Sequence, residues 1–274
     1  MNKERVLLGA VAYTPAVVEI WEGIKDYFNE NGCPFDFVLF SNYEAQVDAL
    51  LDGFIDIAWN TNLAFIKCDL ALSGKARILA MRDTDLDFTS HFVVKNDSSI
   101  NSIEDLKQKR VAFGSKDSAQ AAIMPEYFLL DKGLVADRDY TAIRFNSDVG
   151  KHGDTGNSEH EVVDSVLKGE ADAGTIGATI WQQLQNNGAD LKCIWSSPGY
   201  SHCIFTALPN LDDNKADNFT TTLMKMDYQN PDHRRLLDLE GLKKWVPPSR
   251  DGYKEIFKAV EKLNYATATT VAAR

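Results

Sequence analysis

The residues best suited to chemistry in this chain are hydroxyls and amides gathered in turns, not a nucleophile set beside a base. The densest turn is Ser115-Lys116-Asp117-Ser118-Ala119-Gln120, which runs straight into a helical pattern. Tyr13-Thr14-Pro15, Ser41-Asn42-Tyr43-Glu44 and Asn60-Thr61-Asn62 are turns of the same kind, each between an apolar run and a helix. A helix N-terminus presents unpaired N–H groups and roughly half a positive charge. With hydroxyl and amide donors around it, such a turn can hold an oxyanion without Lys or Arg. The same residue types also cap helices where no ligand binds. Several of them facing one cleft favour binding.

Histidines add a second candidate. His152, Asp154 and His160 share the glycine-rich segment 148–160. Their spacing, H-x-D-x5-H, matches no strong metal template, so anion contact or a solvated loop is expected and no metal. His91 and His202 lie on segments that read as crossings between lobes, where an imidazolium would favour an anion. A hydrogen-bonded hinge histidine is the alternative there. The chain has no G-x-S-x-G elbow, no G-x-x-x-x-G-K-[ST] loop and no G-x-G-x-x-G fingerprint. That favours binding over catalysis: no enzyme, no cofactor.

Positioning these turns requires an α/β scaffold, and the chain reads as two copies of one. Val47-Asp48-Ala49-Leu50-Leu51-Asp52-Gly53-Phe54-Ile55-Asp56 and Val163-Asp164-Ser165-Val166-Leu167-Lys168-Gly169-Glu170-Ala171-Asp172 share the frame V-D-x-x-L-x-G-x-x-D. Each is an amphipathic helix closed by glycine and followed by a buried strand. Arg5-Val6-Leu7-Leu8-Gly9 is echoed by Arg110-Val111-Ala112-Phe113-Gly114. Short apolar strands alternating with helices imply two lobes, each a mostly parallel sheet flanked by helices. The first is expected at 1–90 and 205–274, and the second at 91–204. Hinge crossings are expected near 89–95 and 199–206. Capping boxes are expected at Ser102-x-x-Asp105 and Ser158-x-x-Glu161, helices at 103–108 and 242–245, and a frayed tail at 266–274.

Composition limits the partners. The 274 residues are 44% hydrophobic and 25% charged, with 40 acids against 29 bases and a net charge of -11. An acidic balance argues against nucleic acid and anionic membrane surfaces. No run approaches the ~18 apolar residues of a membrane span. The four cysteines are widely spaced and read as buried thiols.

Four segments carry a family resemblance: "GAVAYTPAVVEIWEGIKDYF", "SNYEAQVDALLDGFIDIAWN", "VVKNDSSINSIEDLKQKRVAFGSKDSAQAAIMPEYFL" and "DLEGLKKWVP". Together they resemble the phosphate/phosphite/phosphonate-binding proteins of ABC transporters, the PhnD-like members of the type II periplasmic binding proteins. The resemblance implies two α/β lobes joined by two crossing strands that close on a small anion, and a permease partner. It also implies a monomer and a periplasmic location, with any signal peptide removed from this chain. By position, Tyr43 matches a tyrosine beside the ligand, and Ser118, Ala119 and Gln120 match an S-T-S triplet that grips the phosphonate. Thr89 or Ser90 matches a crossing-strand contact, and Glu159, or His160 one residue on, matches a ligand histidine. The expected ligand set is therefore Tyr13, Thr14, Tyr43, Asn60, Thr61, Thr89, Ser90, His91, Ser115, Asp117, Ser118, Ala119, Gln120, His152, Glu159 and His160. Where relatives hold a ligand ammonium with acids, this chain has Thr179 and Ser201, which favours an unaminated ligand. The competing expectations are a cytoplasmic enzyme on the same fold, of the menaquinone-pathway type, and a ligand sensor that docks on a regulator.

Overall fold

Apolar runs of four to six residues between amphipathic helices give this chain its elements, seen in a computed structural model that describes residues 5–265. In chain order they begin with β1 (Val6–Val11), α1 (Ala16–Glu30), β2 (Phe35–Phe40), α2 (Tyr43–Leu51), β3 (Ile57–Asn60), α3 (Asn62–Ala71), β4 (Arg77–Ile78) and β5 (Met81–Arg82). Then come β6 (Ser90–Lys95), β7 (Arg110–Phe113), α4 (Met124–Asp131), β8 (Thr141–Arg144), α5 (Asn157–Leu167), β9 (Ala173–Gly177), α6 (Ala178–Asn186) and β10 (Leu191–Ser196). The last are β11 (Ile204–Ala207), α7 (Asp213–Met224), α8 (Pro231–Leu239), β12 (Trp245–Val246) and α9 (Lys254–Lys262). The tail expected to fray lies outside the described residues.

The chain divides into two compact units, Met1–Leu86 with Ser201–Tyr253 and Asp87–Tyr200 with Lys254–Arg274. Each holds one five-stranded sheet. The first runs β2-β1-β3-β11-β4 and the second, read in the same sense, β8-β7-β9-β6-β10. In both, the first three strands are parallel and the fourth is reversed. The sheets are thus mixed, and their wiring is the same. The V-D-x-x-L-x-G-x-x-D repeat maps α2–β3 onto α5–β9.

The shorter echo is two residues out of structural register. Leu8 pairs with Ile57, and Val111 pairs with Ala173, so Leu8 corresponds to Val111 and not to Phe113. The final aspartate of each repeat sets that register. Asp56 accepts the N–H of Leu7 at 2.8 Å and donates its own to the Leu7 carbonyl at 2.8 Å. Asp172 does the same for Arg110, at 2.8 Å each way.

Packing follows the apolar spacing. Helix α1 buries Val17, Ile20, Trp21, Ile24 and Phe28, a three-and-four spacing that forms one stripe. The stripe meets Phe205, Phe219 and Trp245 in the core of the first unit. The second unit packs Phe92, Val111, Phe113 and Leu129 on one face of its sheet and Val93, Ala112, Val162 and Ile176 on the other.

Several expectations are corrected. Residues 242–245 are not a helix: Trp245 and Val246 pair with Arg82 and Met81 as a two-stranded ribbon. The 103–108 helix is a single 3-10 turn over Glu104–Leu106. The Ser158 capping box does not form, because α5 starts at Asn157 behind a left-handed Gly156, two residues ahead of the expected cap. Ser90–Lys95 and Ile204–Ala207 are interior strands of their own sheets, and the passages between units lie just ahead of them, at 86/87 before the expected 89–95 crossing and at 200/201 within the expected 199–206 crossing. The chain passes between units at 86/87, 200/201 and also 253/254. The described residues after Tyr253 therefore join the second unit, not the first. There α9 buries Ile256, Ala259 and Val260, Tyr127 Oη donates to Glu255 at 3.4 Å, and Lys262 pairs with Asp131.

The three points at which the chain leaves or re-enters the first unit meet at one buried charged cluster. Arg82 grips Asp85 through Nε and a terminal nitrogen at 2.7 and 2.8 Å, and lies 3.5 Å from the Glu240 carboxylate. Trp59 Nε1 donates to Glu240 at 3.0 Å. The His202 N–H donates to the Asp85 carbonyl, the Ser201 N–H to Gly252, and Tyr253 Oη to the His202 carbonyl. Burial alone would raise the Asp85 carboxyl, but the Arg82 charge and hydrogen bonds, followed by His202, hold it well below the usual carboxylate range.

Candidate functional site

Polar residues of the second unit collect at the carboxyl ends of β7, β8 and β9, where open α/β sheets place ligands. Strand β7 ends at Phe113 and the chain must turn sharply into a helix. Gly114 permits it, since a Cβ there would lie 2.7 Å from the Ala121 Cβ. Ser118 is extended, and its Oγ accepts the Ala121 N–H at 3.2 Å. Residues Ala119–Ile123 then form a π turn before α4. Pro125 explains the wide turn, because it has no N–H for the carbonyl four residues back. That carbonyl, of Ala121, instead accepts from Gly114 N at 2.8 Å and Thr175 Oγ1 at 2.6 Å. Among the described residues, no acceptor takes the N–H of Ala119 or of Gln120. The turn thus offers two main-chain donors beside a buried hydroxyl.

A second loop locks this turn in place. The Asp148 N–H donates to Ser115 Oγ at 2.8 Å, and its carboxylate accepts the Ser158 N–H at 2.8 Å and the Thr155 hydroxyl. Asp117 accepts the Gly150 N–H, and Asn146 the Lys116 N–H. Gly150, His152, Gly153 and Gly156 all have positive φ. At Gly153 a Cβ would stand 2.5 Å from Ser118 Oγ and 2.8 Å from Gln120 Nε2, so the loop lies flat against the turn. His152 is buried within this loop.

Helix α5 brings Glu159 to the same edge, while His160 points outward and is exposed. Buried Glu159 accepts from Gln120 Nε2 at 3.1 Å and from Gly177 N at 2.6 Å. Of the two expected alternatives, only Glu159 reaches the turn. At the start of β6, Thr89 Oγ1 lies 3.0 Å from His91 Nε2, and Ser196 Oγ lies 2.8 Å from His91 Nδ1. Burial pushes the His91 imidazole down to about 4, so it is neutral near pH 7. The imidazolium reading of His91 is corrected. Ser90 Oγ is bonded to Tyr200 Oη at 2.8 Å. Asp148, Thr175 and Tyr200 escaped the sequence reading. Asp148 carried one signal, an acid flanked by turn residues between a strand and a glycine run.

The expected residues of the first unit sit at the matching edge of its own sheet. Tyr13 and Thr14 form a half-exposed turn before α1, whose Pro15 cap makes no side-chain bond. Tyr43 opens α2 and packs with Val11 and Val47. Thr61 caps α3 by accepting the Ala64 N–H. Asn60 is drawn inward: its Oδ1 accepts from Gln46 Nε2 at 2.8 Å and its Nδ2 faces Cys68 Sγ at 3.6 Å. Burial pushes the Cys68 thiol up to about 12, so this network stays uncharged. All four cysteines are free.

Comparison with known proteins adds to this geometry. Residues 10–253 match the family model described as the periplasmic substrate-binding protein of phosphonate ABC transporters. A probable ABC transporter phosphite binding protein, PhnD1, of Prochlorococcus marinus (strain MIT 9301) is 27% identical over 237 residues, 81% of this chain and 76% of its own length. The solved structure of PhnD1 from Prochlorococcus marinus (MIT 9301) in complex with methylphosphonate has a TM-score of 0.75 at 23% identity, covering 96% of this chain and 99% of that one. A Xanthomonas citri protein solved bound to ATP has a TM-score of 0.76 at 17% identity, with the same coverage. At those identities the two structural likenesses speak to the fold alone.

Proposed function

The chain belongs to the periplasmic substrate-binding proteins of phosphonate ABC transporters, and from that premise we propose that it captures a small phosphorus oxyanion on the Ser115–Gln120 turn. Its fold is that of the type II periplasmic binding proteins, and its family consists of binding components, not enzymes. Among the described residues no helix is long and apolar enough to cross a membrane. Work in the periplasm, delivering to a membrane permease, is the reading that family membership supports.

One observation carries the ligand class. The Ala119 and Gln120 N–H groups have no acceptor among the described residues and sit at a helix start, next to buried Ser118. Oxyanion oxygens accept from such donors, and the helix end favours negative charge. The net charge of -11 does not oppose this, since capture depends on local main-chain donors. Methylphosphonate and phosphite, which carry no amine, fit the neutral Thr179 and Ser201.

Calorimetric titration with methylphosphonate, phosphite and phosphate tests this reading. Ser118→Ala should weaken the best of them by about tenfold or more, the scale of one hydrogen bond to a charged group. Wild-type affinity in Ser118→Ala would remove the turn from the site.

A further inference from the structure

Gln120 Oε1 and Ser158 Oγ, at this edge of the second unit, are among the buried side-chain atoms without a hydrogen-bond partner. Gln120 is only 4% exposed. Its Nε2 donates to Glu159 Oε1 at 3.1 Å, and the other Glu159 oxygen holds the Gly177 N–H at 2.6 Å. An ionised carboxylate can only accept, so it dictates which end of the amide faces it. The amide nitrogen must point at Glu159, which leaves the amide oxygen to face elsewhere. Gln120 therefore has two opposite offers: an unpaired main-chain donor and an unpaired side-chain acceptor. Leaving a buried acceptor unmatched costs about 1–3 kcal/mol. A fully ionised anion has nothing to give that acceptor.

Resting on the reading above, we propose that Gln120 selects the protonation state of the ligand. The bound species is the monoprotonated oxyanion, whose P–OH donates to Gln120 Oε1 while its bare oxygens take the N–H groups of Ala119 and Gln120. Glu159 is a positioning residue that acts by holding the amide in this orientation. Its negative charge beside Gln120, with Asp117 on the turn itself and Asp148 on the adjoining loop, further disfavours a dianion. The other titratable groups at this edge are Lys116 on the turn, Lys151, His152 and Asp154 on the glycine loop, His160 and Glu161 on α5, His91 on β6, and Tyr200, which is bonded to Ser90. The consequence is chemical selectivity. Sulfonates and sulfate match phosphonates in shape but carry no proton near neutral pH, so they are rejected.

Calorimetry across the ligand's second ionisation separates a ligand proton from a protein proton. Two alkylphosphonates of different acidity, methylphosphonate and chloromethylphosphonate, should each lose affinity about tenfold per pH unit above their own second pKa. The two midpoints should differ as the ligand pKa values do. Methanesulfonate should bind at least about tenfold more weakly than methylphosphonate. Gln120→Met, which keeps the length and removes the acceptor, should flatten the pH profile and shrink the sulfonate gap. A common midpoint for both phosphonates, a flat wild-type profile, or equal affinity for methanesulfonate overturns this proposal alone. Failure of the wild type to bind any of these anions overturns the functional reading as well.

Discussion

The two units share one strand order but bury polarity in opposite ways. In the first, the buried polar cluster is ionic and internally matched: Arg82 holds Asp85, lies against Glu240, and has Trp59 and His202 as neighbours. In the second, the buried polar groups at the carboxyl edge are mostly hydroxyls, amides and main-chain N–H groups. Several of these lack protein partners. The first arrangement ties together three ends of the unit's two chain segments. The second leaves donors and acceptors for something else to match. The paired charges of the first unit hold its chain ends together, whereas the open groups of the Ser115–Gln120 turn are those assigned above to a ligand.

The largest effect that could break this contrast is in the first cluster. Arg82→Met would leave the buried Asp85 and Glu240 carboxylates without their cation, at a cost of about 3–5 kcal/mol. Urea unfolding should show a loss of that size, and a change under about 1 kcal/mol would mean that the cluster is not structural. Next comes a pair of glycines with left-handed backbones. Gly32 has φ +75 with nothing within 4 Å of an added Cβ, while Gly153 has φ +86 with Ser118 and Gln120 in the way. Both alanine variants should lose about 1 kcal/mol from backbone strain. Only Gly153→Ala should also displace the turn, lowering phosphonate affinity about tenfold or more, as overpacking of a fitted site does. Equal affinity in the two variants would dissolve the distinction between the units.

The smallest effect sharpens the comparison at equivalent positions. Asp56 and Asp172 both hold the first strand of their sheets, but Asp56 pairs with a Lys215 that is 18% exposed, and Asp172 with an Arg110 that is 46% exposed. Asp56→Asn should therefore cost about 1 kcal/mol and Asp172→Asn less, because exposed pairs are screened. Thermal midpoints would reveal a reversed order. The Asp172 carboxyl is lowered first by its Arg110 hydrogen bond. Its contribution is present above the ordinary carboxylate pKa and is lost as pH falls through the lowered value.

Strands β1, β2 and β7 appear at the residues their apolar runs indicate, since a short run between turn signals has few other solutions. The donor turn at 115–120 was legible for the same reason, as hydroxyls and amides leading into a helix. Other features depend on neighbours distant in sequence. Asn60 looks like a ligand residue until Gln46 and Cys68 fold around it. Glu159 and His160 differ only in helical phase, and the start of α5 at Asn157 decides which one turns inward. The stripe on α9 fits either unit on paper, and contact with α4 places it in the second.

By itself, then, the sequence determined the duplicated α/β scaffold and the position of the donor turn. Those properties reside in local periodicity and in residue types next to a helix start. Only the tertiary structure decided that Ala121 gives its carbonyl to Gly114 and Thr175, which leaves the Ala119 and Gln120 N–H groups unclaimed. Only it set Glu159 against Gln120, leaving an amide oxygen without a donor. Hydrogen-bond satisfaction is a property of the whole fold, because each partner comes from a segment the local sequence does not contain.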